Sequence, residues 1–189
     1  MTRVVIVGGG PAGYESALVA VELGAEVTLV ERDGVGGACV LTDCVPSKTL
    51  IATSASVTAF RDAPRLGLYT GDGDVVVDVI AVNDRIKKLA YQQSDDIRAR
   101  LLREGVTLIA GSARFSSYQP SRAHRLEVVG SESRSAEVLE ADVVLLGTGA
   151  TPRILPTPIS YSRRICSKSS TLILLSMWPS LFRMHPEPG

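Results

Sequence analysis

Two cysteines, Cys39 and Cys44, are separated by four residues in the stretch Gly36-Gly37-Ala38-Cys39-Val40-Leu41-Thr42-Asp43-Cys44-Val45-Pro46-Ser47-Lys48. A thiol pair at this spacing can close a small disulfide ring, and two electrons can open it again. Three explanations fit the pair: buried structural cysteines, a metal site, or a redox-active disulfide. A metal site lacks partners, because Cys166 is remote and the two histidines, His124 and His185, stand alone without ligand spacing. The redox reading gains from a helix start behind Cys44, where backbone amides favour a thiolate. Asp43 opposes it: a carboxylate next to Cys44 disfavours the thiolate by like charge and makes reduction harder. Lys48 lies one helical turn past Cys44 on the same face. A cation there can stabilise a thiolate and a reduced electron carrier, although a solvated helix lysine would look the same.

The elements before this stretch have to place an electron source beside it. Val4 to Val7 is a short apolar, β-branched run closed by three glycines, and it reads as a strand buried on both faces. Pro11 offers the first helical position, and Leu23-Gly24 ends the helix. Val27 to Val30 is a second strand, ending at Glu31. Strand, helix and strand in this space form a parallel, right-handed βαβ unit. Its first turn carries Gly8-x-Gly10-x-x-Gly13, with Pro11 and Ala12 opening the helix. Gly8 permits the tight turn, Gly10 lets backbone approach a pyrophosphate, and Gly13 lets the helix pack on the strand. The phosphates would sit at the helix N-terminus. A carboxylate at Glu31 can accept the ribose hydroxyls of an adenosine and would repel a 2′-phosphate. A glycine-rich turn near an ordinary surface glutamate is the plain alternative, but strand, turn, helix, strand and acid all fall in place for dinucleotide binding. With a dinucleotide upstream, a flavin can supply the electrons, which favours the redox-active reading of the two cysteines.

Downstream, a helix is expected from Val45 to a point before Pro64, with Leu50, Ile51, Ala55 and Val57 apolar. A long helix over roughly Val79 to Arg103 carries Val82, Ile86, Leu89, Ile97, Leu101 and Leu102, and Gly105 caps it. Val106 to Ala110 reads as a strand. Three short alternating segments near Ala113 to Ser117, Arg125 to Val129 and Ala136 to Leu139 read as an antiparallel meander. Val143 to Leu146 reads as a last buried strand, ending in Gly147-Thr148-Gly149-Ala150. The fold class is therefore α/β, a Rossmann-like parallel sheet with a small antiparallel meander. Residues 1–156 form the nucleotide-binding domain, and residues 157–189, rich in Arg, Ser and Pro, are expected to be a poorly ordered tail.

Lys plus Arg balances Asp plus Glu at 20 each, so bulk charge points to neither a nucleic acid nor an anionic membrane as partner. Three cysteines are too few for a secreted disulfide framework. Neither a signal peptide nor an apolar run of membrane length is evident, so a cytoplasmic location is expected.

With these residues the chain resembles the N-terminal part of the pyridine nucleotide-disulfide oxidoreductases, the flavoproteins that include dihydrolipoyl dehydrogenase, glutathione reductase and mercuric reductase. The resemblance rests on Val5 to Gly13, Glu31, Gly36 to Cys39, Cys44 to Lys48, Gly111 to Phe115 and Gly147 to Arg153, and is strongest toward the actinobacterial dihydrolipoyl dehydrogenase-like branch. It implies FAD as cofactor. Gly8, Gly10 and Gly13 would hold its pyrophosphate, and Glu31 its ribose. Ala113 would contact the adenine side, with Gly37, Ala38, Thr148 and Gly149 also lining the cofactor. Lys48 would lie near the flavin N5. Cys44 would be the charge-transfer thiolate, and Cys39 the thiol that meets a disulfide substrate. In the family NAD(P)H reduces FAD, FAD reduces the disulfide, and the dithiol reduces a small-molecule substrate. Val40-Leu41-Thr42-Asp43 between the cysteines departs from the usual dihydrolipoyl dehydrogenase segment and leaves room for an NAD(P)H:quinone reductase.

Family chains are usually more than twice as long. The second glycine-rich fold for NAD(P), the segment completing the FAD site and the dimer-forming domain with its His-Glu pair are expected to be missing here. This leaves a catalytically incompetent FAD-binding fragment as a further reading. No family motif is evident after about Pro156, and the change in composition reads as a frameshift followed by an early stop.

Overall fold

The computed structural model describes residues 1–69, 75–118, 123–130 and 136–150. They form two compact units. Of the described residues, one unit holds 1–41 and those from 90 to 150, and the other holds Thr42–Leu89.

The first unit is built on a six-stranded sheet of order β5-β4-β3-β2-β1-β6. β1 is Arg3–Val7, β2 Glu26–Glu31, β3 Thr107–Phe115, β4 His124–Gly130, β5 Ala136–Ala141 and β6 Val143–Leu146. β1 pairs in parallel with β2 and β6, and β2 in parallel with the first half of β3. Between β1 and β2 runs α1, Pro11–Glu22, with Gly10 as its N-cap. This is the expected βαβ unit, and the fold is Rossmann-like.

Alternation along β1 serves both faces of the sheet. Val4 and Ile6 join Ala17 of α1, Val27, Leu29 and Leu101 in one core. Val5 joins Val30, Leu126, Val128 and Ala141 in another, where the antiparallel strands cover the opposite face. A strand buried on both sides must be apolar throughout, which is why Val4 to Ile6 carries no polar residue.

Two strands differ from expectation. Val106 to Ala110 and Ala113 to Ser117 are not separate segments but parts of the single strand β3. Its first half pairs in parallel with β2 through Ala110, and its second half pairs antiparallel with β4 from Gly111 on. Gly111 makes the change of partner possible, because a Cβ there would strike the Val129 carbonyl oxygen. β6 is not buried: Val143, Leu145 and Leu146 are exposed. It is the edge of the sheet, paired only with β1 among the described strands.

α2, Gly37–Leu41, is a short helix that the glycine pair hid from the sequence reading. α4, Val79–Arg103, matches its expected bounds. Its buried stripe runs through Ile86, Ala90, Ser94 and Leu101, whereas Leu89 and Leu102 are exposed. Four of these positions fall at helical spacing only if the small residues Ala90 and Ser94 are counted.

In the second unit, α3 spans Cys44–Asp62 and ends in a 3-10 turn, Ala63–Leu66, that contains Pro64. Pro46, Leu50 and Val57 form its buried face, and Ile51 is exposed. The Arg85 guanidinium donates to the Thr53 hydroxyl at 3.2 Å, tying α4 to α3 within this unit. Among the described residues, no helix is long and apolar enough to cross a membrane.

Candidate functional site

The turn between β1 and α1 is shaped by backbone meeting backbone. Gly8 has φ +104, and a Cβ on it would run into the Gly147 carbonyl and stand 3.0 Å from the Thr148 nitrogen. A Cβ on Gly13 would strike the Gly8 carbonyl oxygen. These two glycines are therefore fixed by packing. Gly10 is different: a Cβ there would meet nothing within 4 Å. Its side of the turn opens outward, where backbone can approach a ligand.

Pro11 has no N–H, and the amides of Ala12 and Gly13 have no acceptor within the helix. No side chain caps α1, and no acidic residue occupies its first turn. The positive end of α1 is thus left for an outside anion.

Two further backbone segments close on this turn. The Gly147 amide donates to the Val7 carbonyl at 2.8 Å, which sets Thr148 and Gly149 immediately beyond β6 beside the glycine turn; both are exposed. From the other side comes the loop after β2. The Gly36 amide donates to the Gly9 carbonyl at 2.8 Å. Gly37, at φ +56, lies so close to Gly10 that a Cβ on it would be 2.9 Å from the Gly10 Cα. Ala38 and Cys39 follow directly in α2, with Cys39 half-buried. The Tyr14 phenol on α1 titrates above its ordinary range, chiefly through burial, then through the negative charges of Glu15 and Cys39, with Arg100 opposing. Cys39 is therefore carried next to the glycine turn by local geometry.

Glu31 ends β2 with its carboxylate held in the same place. Oε2 accepts the Gly9 amide at 2.6 Å, and Oε1 accepts the Asp33 amide at 2.7 Å. Alongside lies a cavity of about 290 Å³. Leu29, Leu108, Ile109 and Ala110 give it apolar walls, and Glu31, Arg32, Asp33, Tyr91, Asp95 and Arg98 a polar rim. Arg32 grips Asp33 at 2.8 Å and lowers the Asp33 carboxyl below its ordinary value.

Ala113 is not part of that lining. It faces Val128 across the β3–β4 pair and packs on the second core. Cys44 and Lys48 belong to the second unit, where Cys44 opens α3 and Lys48 follows one turn later, both exposed. The sequence reading missed two residues. Gly9 is shaped to Glu31, and Ser94 is buried, donating to the Val35 carbonyl at 2.6 Å. The unbroken run of three glycines was the available signal for Gly9, its middle member; Ser94 had none, because its partner is 59 residues away.

These residues fit a dinucleotide: an uncapped helix end and a glycine turn, close-packed at Gly8 and Gly13 and open at Gly10, for the diphosphate, a fixed carboxylate for a ribose, and an apolar-walled cavity for a base. The sequence matches the pyridine nucleotide-disulphide oxidoreductases over residues 2–172. The chain belongs to this family. The match continues past Pro156, so the change in composition there does not end the family-like sequence. The chain is 47% identical over 169 residues to an NAD(P)H dehydrogenase (quinone) of Mycobacterium tuberculosis, covering 87% of this chain and 34% of the relative. It is 30% identical over 177 residues to dihydrolipoyl dehydrogenase 2 of Haloarcula marismortui, covering 93% and 36%. The crystal structure of LpdA from M. tuberculosis superposes with a TM-score of 0.75 at 46% identity, over 82% of this chain and 33% of that one. The chain thus spans about a third of the length of these relatives.

Proposed function

We propose that this chain is the FAD-binding portion of a flavin-dependent oxidoreductase that moves electrons between NAD(P)H, FAD and the Cys39–Cys44 thiol pair. The observation that carries the reading is the contact of Gly37 on Gly10. It sets the cysteine-bearing helix against a turn whose glycines and helix end suit a diphosphate. The amides of Ala12 and Gly13 would neutralise the diphosphate, Glu31 would orient the adenosine ribose, and the adjoining cavity would exclude water from the adenine. Thr148 and Gly149 would line the cofactor from the β6 side. When bound, FAD supplies a carrier that takes up an electron pair from a nicotinamide and passes it on. Cys44 would receive that pair as the disulfide opens, Lys48 would offset the charge that develops, and Cys39 would exchange with a small-molecule disulfide. The second glycine-rich turn that would hold NAD(P)H is not among these 189 residues. The whole protein is expected to act as a cytoplasmic homodimer.

A quinone reductase is a second reading, favoured by the 47% identical relative named as one. There the flavin would reduce the substrate directly and the thiols would be spectators. Anaerobic titration of the FAD-loaded chain with dithionite separates the two. A thiol relay takes up one electron pair for the flavin and a second for the disulfide, and C39S removes the second. Uptake of a single pair by the wild-type chain, unchanged in C39S, would overturn the relay. A chain that takes up FAD but is not bleached by NADH is an FAD-binding fragment without turnover of its own.

A further inference from the structure

The Glu31 carboxylate is engaged on both oxygens by the protein itself. Oε2 accepts from Gly9, in the turn between β1 and α1, at 2.6 Å. Oε1 accepts from Asp33 at 2.7 Å and Gly34 at 3.3 Å, in the loop that leads to α2 and Cys39. One side chain thus bridges two loops whose backbones also meet at Gly36–Gly9 and Gly37–Gly10. Gly9 is fitted to the bridge, since a Cβ on it would stand 3.0 Å from the Glu31 Cβ and Cγ. All three bonds are N–H donors to a carboxylate, the strong charge-assisted kind. A neutral amide in the same place could accept on one side only, and its NH₂ would face donors on the other.

We propose that Glu31 is a positioning residue: it clasps the glycine turn to the loop bearing Cys39 and holds the diphosphate cradle in shape before any ribose arrives. This deepens the FAD reading of the same site and rests on it. The clasp has a consequence opposite in sign to simple charge. Removing a negative charge beside an anion site should, on charge alone, tighten anion binding by relieving Coulomb repulsion. Removing the clasp should weaken it, because the amides lose their aim.

The test uses the full chain without ligand, in wild-type, E31Q and E31D forms, with inorganic pyrophosphate as the probe. Amide hydrogen exchange at Gly9, Asp33 and Gly34 should quicken by about tenfold or more in E31Q, while Ile6, Ala17 and Leu29 keep their protection. Pyrophosphate should bind several-fold more weakly to E31Q despite the lost charge. E31D keeps the charge but is one methylene short of spanning both loops, so it should share the defect. The proposal is overturned by unchanged exchange at the three amides, by tighter pyrophosphate binding to E31Q, by E31D behaving as wild type, or by protection lost equally through β1 and β2. If the wild-type chain binds neither pyrophosphate nor FAD, the FAD reading fails, while the exchange pattern still decides the clasp.

Discussion

Gly8, Gly10 and Gly13 look alike in the sequence, as one glycine pattern, but the structure gives them different work. Gly13 has no room for a methyl group because the Gly8 carbonyl fills the space. Gly13→Ala should therefore cost at least about 2 kcal/mol in a urea melt, through overpacking against backbone that cannot yield. Gly10 has open space and an ordinary φ of −69°. Gly10→Ala should change stability by less than about 1 kcal/mol while sharply lowering affinity for FAD, since the added methyl occupies the ligand's path. Equal stability losses in the two variants would refute this division of roles. Motif spacing made these glycines and Glu31 legible. It could not show that Glu31 also holds Gly9, Asp33 and Gly34, or that Ser94 holds Val35, because such bonds depend on which loops the fold brings together.

At the level of elements, α1, β2, α3 and α4 lie close to where periodicity and punctuation placed them. Glycines and prolines stop helices for local reasons that a sequence displays. β3 was harder. Its change from parallel to antiparallel pairing leaves no local mark except Gly111, so one strand reads as two. The exposure of β6 follows from its position at the sheet edge, which no local pattern reports. What pins that edge is chemical: Arg3 donates its backbone amide and its guanidinium to the Asp142 carboxylate at 2.8 and 3.2 Å, and the Asp142 amide returns to the Arg3 carbonyl. These bonds from Arg3 hold the Asp142 carboxyl below its ordinary 3.8. A depressed carboxyl contributes stability that is complete above its unfolded value and is lost as pH falls through the folded one. Protection of Val144 to Leu146, taken relative to intrinsic exchange at each pH, should therefore fall on acidification below about pH 4. D142N should exchange faster at neutral pH and lose the part of the acid response that Asp142 supplies. An unaltered acid response in D142N would assign that response to the other depressed carboxyls, Asp33 and Glu127.

For the whole molecule, composition and the order of motifs identified the family, and the chain covers about a third of the length of its relatives. The glycine turn and the two segments that close on it, Gly36–Gly37 and Gly147–Thr148, all lie within one unit. The proposed electron transfer would also need Cys44 and Lys48, which lie on α3 in the other unit, and a nicotinamide site. Binding and turnover are therefore separable here, and FAD binding comes first. It is tested most directly by incubating the purified full chain with FAD and passing it over a desalting column. Flavin absorbance should travel with the protein and be displaced by excess ADP, which shares the diphosphate, ribose and base. A folded, colourless chain from which all the FAD separates would contradict it.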